Sequence, residues 1–300
     1  MRLGQQNAQT QLATHRPLHR RFPTAYLYIL PIVLIVIVFR YVPFLRTALY
    51  AFSKVNARGE ILEFVGLKNF QDLFKNRTFI GALKTTLTFT AAYVPLIVAS
   101  ALLTARCATP ENKFNRLMTV FIMLPMLVSM SSIAMVMKLL LNPGTGYINY
   151  LFGLNWSWFQ DRHQALWSVL LVVFWMGFPF AYLVLRSALF YIPSSLIEAA
   201  KLDGATSLQI FYKVELPLIS PQILTVFSLS SLGALLMAGP VMVLTEGGPL
   251  RSTTTLIFMM FTSGYQSSNY ALSASIALFT FALSLLFTIL IFQRGRVHYA

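Results

Sequence analysis

The stretch Ile192 to Pro221, IPSSLIEAAKLDGATSLQIFYKVELPLISP, gathers chemistry-bearing side chains in an otherwise apolar chain. Ser195 followed three positions later by Glu198 is a capping-box pattern, in which hydroxyl and carboxylate satisfy backbone N–H groups reciprocally. It predicts a short helix through Ala199, Ala200 and Leu202. Gly204, after Asp203, suits the left-handed conformation that ends a helix. Thr206 or Ser207 can cap a second helix running toward Leu216, and Pro217 is expected to stop it. Two short helices joined at a glycine form a compact knob suited to docking in a cleft of a soluble partner. The chemistry on offer is recognition, not bond-making. No nucleophile, base and orienting group share a spacing, so no residue is assigned a catalytic role. No G-x-x-x-x-G-K-[ST] run exists to cradle ATP phosphates.

Other reactive residue types are sparse. The four histidines, His15, His19, His163 and His298, have no spacing that places a metal site on one helix face. Cys107 is the single cysteine, which excludes a disulfide within the chain and reads as a small core residue. Ser228, Ser230, Ser231 and Ser273 lie in apolar runs, where serines let helices pack closely.

The elements that must position this loop are membrane helices. The chain is 57% hydrophobic and 11% charged over 300 residues, too apolar for a soluble domain. A bilayer span takes about 20 mostly apolar residues. The first apolar run, Tyr26 to Phe39, follows a basic stretch and resumes after Arg40 to Phe52. With no A-x-A cleavage pattern, it reads as one long tilted helix in preference to a signal peptide. Further spans are expected at Thr85 to Ala105, Leu117 to Met137, Ala165 to Leu185, Ile223 to Leu244 and Ala271 to Phe292. The fold class is therefore all-α and polytopic, with about six transmembrane helices and a two-helix loop. Kinks are expected at Pro95, Pro125, Pro179 and Pro240. Between the first two spans, Leu67, Phe70, Leu73 and Phe74 share one helical face, which predicts a short surface helix capping the bundle.

The formal charge of +14 comes from Lys and Arg scattered among the spans, which argues against nucleic acid and for topology and lipid headgroups. With six spans, the side holding both termini and the 192–221 loop carries twelve of the basic residues and the other side eleven. Eight of those eleven lie between Arg40 and Lys84; the rest are Lys138, Arg162 and Arg251. The basic cluster before the first span favours termini inside. Lys138, near the outer end of its span, reads as snorkelling to headgroups in preference to attracting an anion.

Glu198-Ala199-Ala200, Asp203-Gly204-Ala205 and Leu216-Pro217 together resemble the hallmark of the integral-membrane permeases of binding-protein-dependent ABC importers, especially the carbohydrate branch that includes the maltose permeases. GLKNFQDLF at Gly66 to Phe74, NPGTGYIN at Asn142 to Asn149, WMGFPF at Trp175 to Phe180 and LTEGGP at Leu244 to Pro249 resemble segments of that branch in the same order. The resemblance implies a bacterial inner-membrane protein with both termini cytoplasmic. Its parts are a basic tail (1–25), a permease domain (26–293) holding the coupling loop (192–221), and a C-terminal tail (294–300). It also implies partners: a second permease subunit in a heterodimer, two cytoplasmic ABC ATPases that bind the ATP and Mg, and an extracytoplasmic solute-binding protein. No cofactor is expected in this chain. Glu198 would meet a basic residue of the ATPase groove, Ala199 and Ala200 would permit close approach, Gly204 would hold the angle between the helices, and Pro217 would mark the return to the membrane.

Trp175, Gly177 and Phe180 fall in the stretch that contributes to the cavity lining of sugar permeases. The bland alternative is that these aromatics face lipid or simply pack. The fifth span has Gly233, Ala234, Met237 and Gly239 where relatives often place polar or aromatic groups, so glycerol 3-phosphate or a glycerol phosphodiester stays open beside a sugar. A self-sufficient secondary transporter or channel is the rival of a different class. The inner parts of the six spans contain no Asp, Glu or His from which an ion relay could be built.

Overall fold

A computed structural model describes residues 22–109 and 112–296. Most of the basic tail 1–25 and the last four residues of the C-terminal tail lie outside them. The chain divides into two units, one ending at Thr47 and the other beginning at Ala48.

The first unit holds helix α1 (Phe22–Val36), a π turn at Ile37–Tyr41 and the start of α2 (Val42–Ala51), so the first apolar run is one continuous helix from Tyr26 to Ala51. Pro43 has no N–H to return to the carbonyl four residues back. The Val42 N–H instead reaches the Ile37 carbonyl five residues back, widening the turn without ending the helix. The side chains from Tyr26 through Arg46 are all exposed, as suits a helix whose solvent is lipid.

In the second unit, a hairpin of β1 (Ser53–Val55) and β2 (Ile61–Phe64) follows; the helical reading of the sequence passed over it. Asn56 Oδ1 accepts from the Arg58 and Glu60 N–H groups and Gly59 takes φ +82°, which closes the turn. Then comes α3 (Lys68–Lys75), the expected amphipathic helix. Its Leu73 is buried, and Phe74 packs edge-on against Phe79 and Phe279. Asn69 ties it to the hairpin by donating to the Ala51 and Ser53 carbonyls.

Helix α4 (Arg77–Cys107) is 31 residues long, roughly 46 Å at 1.5 Å per residue and enough to cross a bilayer. The Asn76 side chain caps its first turn by accepting from Thr78 and Phe79. Cys107, expected in the core, is exposed. The buried face of the last turns runs through Ala101, Ala105 and Ala108, and position 107 points away from that stripe.

The third span, read as continuous from Leu117 to Met137, is broken. Helix α5 (Lys113–Met123) passes through a 3₁₀ turn at Leu124–Leu127 into α6 (Met130–Leu140) with a bend of 102°. Pro125 opens the tight turn, Val128 is extended, and Ser129 starts the new helix by accepting from Ser132. After α7 (Tyr147–Phe152) comes α8 (Ala165–Phe190), 26 residues packed along α4. Its Pro179, like Pro95 in α4, lies inside an uninterrupted helix.

The loop helices are α9 (Ser194–Leu202), α10 (Ser207–Ile210) and α11 (Leu216–Leu218), followed by α12 (Ser220–Leu235). The fifth span is broken too: α12 ends at Leu235, and α13 (Gly239–Leu244) restarts with Pro240 in its first turn. Thr255 Oγ1 donates to the Met237 carbonyl at 2.7 Å, so a group freed by the break keeps a partner inside the protein. Finally, α14 (Leu256–Phe261) leads to α15 (Tyr270–Arg296), which packs on α3, α12 and α14. Four helices are long and apolar enough to cross a membrane, and two bent pairs bring the number to six.

Candidate coupling loop and central cavity

The loop at 192–221 has the expected two helices, with different chemistry at their ends. Helix α9 begins at Ser194 behind Pro193, and no side chain caps it. Starting there puts Ser195 inside the first turn, where its hydroxyl no longer stands at the cap, so the Ser195–Glu198 capping box does not form. The box forms on the second helix: the Thr206 hydroxyl accepts from the Gln209 N–H, and the Gln209 side chain accepts from the Thr206 N–H at 2.8 Å.

Between them, Gly204 takes φ +79°. The Gly204 N–H bonds the Lys201 carbonyl and the Ala205 N–H bonds the Ala200 carbonyl, both at 3.0 Å, closing α9 as a Schellman motif. A Cβ on Gly204 would touch nothing within 4 Å, so the dihedral alone imposes the glycine.

Pro217 does not end the second helix. The helix runs from Ser207 to Leu218 through a π turn at Phe211–Glu215, and turns by 69° into α12 only at Ile219. The Leu216 N–H bonds the Phe211 carbonyl, five residues back, just before the proline that cannot donate. The same arrangement precedes Pro43. Pro221, also without an N–H, leaves the Pro217 carbonyl four residues back without its helical donor. Ser220 Oγ donates to that carbonyl at 2.7 Å.

Glu198, Ala199, Asp203, Gly204 and Pro217 are exposed, while Ala200 and Leu216 are half-buried. Leu202, at 90% exposure, stands beside them on the tip. An acidic and apolar tip with no covering among the described residues is a surface that gains from a partner. The base is fixed: Ile210 and Phe211 are buried, and Arg106 in the last turn of α4 reaches Glu215, Ser207 and Phe211 there. Its Nε donates to Glu215 Oε2 at 2.8 Å, its Nη2 to the Ser207 carbonyl at 2.7 Å, and its guanidinium lies 4.6 Å from the Phe211 ring centre. Neither Arg106 nor Glu215 was singled out in the sequence, because a partner 109 positions away leaves no local signal.

A central cavity of about 460 Å³ lies where the two broken spans face each other across α4 and α8. Tyr93, Met130, Met176, Gly177, Met237 and Gly239 contribute to its wall. Gly177 serves two ends there, since a Cβ would fall 2.3 Å from the Tyr93 hydroxyl oxygen and 3.1 Å from Ile97 Cδ1. Trp175 and Phe180, read with Gly177 as candidate path residues, do not line this cavity; they are 42% and 40% exposed on other faces of α8. The loop and the cavity are thus brought together through α4, whose middle meets the cavity and whose last turn holds the loop.

The other quoted segments are tight turns. In NPGTGYIN, Asn142 Oδ1 accepts from Gly144 and Thr145, and a Cβ at Gly146 would lie 2.2 Å from the Asn142 carbonyl. In LTEGGP, Gly247 takes φ +80°, and its carbonyl accepts from the Thr254 hydroxyl at 3.0 Å. Lys138 donates to the Val243 carbonyl at 3.0 Å and lies 3.7 Å from Glu246, so it braces the end of α13 instead of reaching outward alone.

Residues 95–294 match the family described as binding-protein-dependent transport system inner membrane component. The sn-glycerol-3-phosphate transport system permease protein UgpA of Pectobacterium atrosepticum is 30% identical over 286 residues, covering 94% of this chain and 97% of that protein. UgpA of an Escherichia coli strain is 30% identical over 294 residues, 96% of this chain and all of the relative. Among solved structures, a subunit of a bacterial ABC transporter involved in the import of the acidic polysaccharide alginate superposes with a TM-score of 0.81 at 22% identity, over 92% of this chain and 96% of that one. A chain of the MetNI methionine ABC transporter gives 0.51 at 18% identity, over 73% and 94%.

Proposed function

Because the chain belongs to the binding-protein-dependent transport inner-membrane family, as a permease subunit of an ABC importer and not an enzyme, we propose that its 192–221 loop is the element through which a separate ATPase drives it. The observation that carries this reading is the exposed α9 tip, with Glu198 and Leu202 outward, set on a base locked to α4 by Arg106. Glu198 entering a partly desolvated groove gains more from an arginine there than it would on open surface. Ala199 and Ala200 keep the approach close, and Asp203 and Gly204 turn the chain toward the second helix. ATP and Mg are bound by two partner ATPases.

In this reading the loop end is cytoplasmic, with both termini on that side of the plasma membrane, and the opposite end meets the solute-binding protein. Closure of the ATPases moves α9 and α10 as a body, and Arg106 passes that motion to α4 and so to the central cavity. A second permease subunit, different in sequence, supplies the other half of the pathway. The solute is a sugar or a related small polar molecule. Glycerol 3-phosphate is the second reading, favoured by the relatives' names and by their near-complete coverage.

The test is ATP hydrolysis in reconstituted vesicles carrying the chain with its sister permease, ATPases and binding protein. Loaded binding protein should stimulate hydrolysis in the native assembly and much less in Glu198→Ala and Gly204→Val. Equal stimulation in all three, with assembly intact, sinks the coupling role.

A further inference from the structure

At the end of the bundle away from the loop, the first turns of α4, the segment before α8 and the segment between α13 and α14 border an open cavity of about 690 Å³, whose basic side chains are exposed. We propose that this cavity is an oxyanion-binding vestibule, which takes the phosphate or carboxylate of a negatively charged solute before it reaches the central cavity. The inference rests on the importer reading, since that reading puts this end on the side of the binding protein.

Arg77, Arg162, Arg251 and His163 line the cavity, and no acidic residue does. Of the neighbouring carboxylates, Asp161 Oδ1 accepts from the His163 and Gln164 N–H groups, and Glu246 lies 3.7 Å from Lys138 and lines, with Arg251, the adjoining cavity. The Arg77 and Arg162 side chains have no hydrogen bond or ion pair among the described residues. Like charges gathered on one open wall repel one another, weakly where water screens them, and an incoming oxyanion relieves that repulsion. Arginine also presents a planar fork that matches phosphate and carboxylate.

Two further features mark the wall as shaped. Leu250 and Arg251 take φ of +50° and +63°, conformations that non-glycine residues adopt at a cost. The turn carries the Arg251 guanidinium to Thr78, whose hydroxyl accepts from Nη1. Beside it the Ser252 hydroxyl is buried with no hydrogen-bond partner among the described residues. The helix end itself is not the ligand, because Asn76 already satisfies the Thr78 and Phe79 N–H groups. The vestibule also gives a role to three of the eleven basic residues on this side of the chain: Arg77, Arg162 and Arg251, 174 positions apart at the extremes, converge on one space.

A solute phosphate and a phospholipid headgroup share this chemistry, and the experiment separates them. The assembled, nucleotide-free importer is placed in nanodiscs of phosphatidylcholine alone and titrated with sn-glycerol 3-phosphate, with glycerol as the uncharged control. The native assembly should bind the phosphate and not glycerol, and Arg77→Gln/Arg162→Gln should weaken binding about tenfold or more. Those two side chains hold nothing in place, so their loss removes charge and leaves packing intact. In discs containing phosphatidylglycerol, native mass spectrometry reads retained lipid. Retention by the native assembly and loss in the variant, with no binding of soluble phosphate, supports the oxyanion site with a lipid as occupant. If neither probe distinguishes native from variant, the vestibule is overturned. Stimulation of hydrolysis by loaded binding protein, read on the same preparation, reports on the importer reading separately. A stimulated assembly that binds no oxyanion therefore overturns the vestibule alone.

Discussion

Arg106 Nε donates to Glu215 Oε2 at 2.8 Å, joining the last turn of α4 to the π turn of the coupling loop. Both side chains are mostly withdrawn from solvent, at 27% and 14% exposure, so the pair is less screened than a surface ion pair. The cation also sits at the C-terminal end of a long helix, where the macrodipole favours positive charge.

Arg106→Gln should therefore lower thermal stability by about 1.5–3 kcal/mol, the range for hydrogen bonds to charged groups. Glu215→Gln should cost less, since the Ser207 contacts of Arg106 survive it. A double-mutant cycle in detergent, read by thermal unfolding, should show coupling between the two. In vesicles the Arg106 variant should keep basal hydrolysis on the ATPases and lose stimulation by the binding protein, because what it removes is the link from loop to span.

Gly204 presents a different kind of constraint. At φ +79° with open space around the missing Cβ, substitution costs backbone strain alone, about 1–2 kcal/mol for alanine. Asparagine, which tolerates the left-handed region, should be milder than alanine, and valine worse than both. The order Gly, Asn, Ala, Val in binding-protein-stimulated hydrolysis is the expected result. A flat series would show that the interhelical angle does not matter.

How much of this was legible in the sequence depends on the range of the interaction. The long apolar helices, the amphipathic α3 and the glycine between the loop helices follow from local patterns, and the structure has them. The positions of helix ends were harder to read. A capping box was read at Ser195–Glu198 and formed at Thr206–Gln209, because Pro193 starts α9 a residue early. Pro217 was read as a stop, yet a π turn lets the helix continue past it. The spans around Pro125 and before Pro240 were read as continuous with kinks. They are broken, because side chains such as Ser129 and Thr255 can satisfy the freed backbone, and hydropathy does not register that. The arginines at 77, 162 and 251, and Tyr93 in the cavity wall, become a group only in three dimensions.

Thr255 tests the broken span directly. Its hydroxyl donates to the Met237 carbonyl and accepts from the Phe258 N–H, and the residue is fully buried. Thr255→Val keeps the shape and removes both bonds, leaving polar backbone groups in a dry interior at a cost of about 1–3 kcal/mol. Thermal unfolding of the purified assembly should show that loss, while Thr225→Val should be nearly neutral. The Thr225 hydroxyl is exposed and bonds only to the Pro221 carbonyl of its own helix.

Gly177 is the point at which the packing of α4 on α8 and the shape of the central cavity are set together. An added methyl would fall 2.3 Å from the Tyr93 hydroxyl oxygen, an overlap that requires Tyr93 or the helices to shift. Gly177→Ala should therefore destabilise by about 1–3 kcal/mol, as overpacking does. The remedy is specific, because the next nearest atoms are Ile97 Cδ1 at 3.1 Å and Tyr93 Cζ at 3.6 Å, both far less severe. Tyr93→Phe deletes the clashing oxygen alone. The double variant Gly177→Ala/Tyr93→Phe should recover most of the stability lost in Gly177→Ala, giving a coupling energy well above the few tenths expected of independent sites. Transport should not recover in step, since the double variant has a cavity wall with neither the hydroxyl nor the bare backbone. Recovery of stability with transport still impaired assigns Gly177 and Tyr93 to the pathway as well as to packing. Full recovery of both leaves them a packing role only.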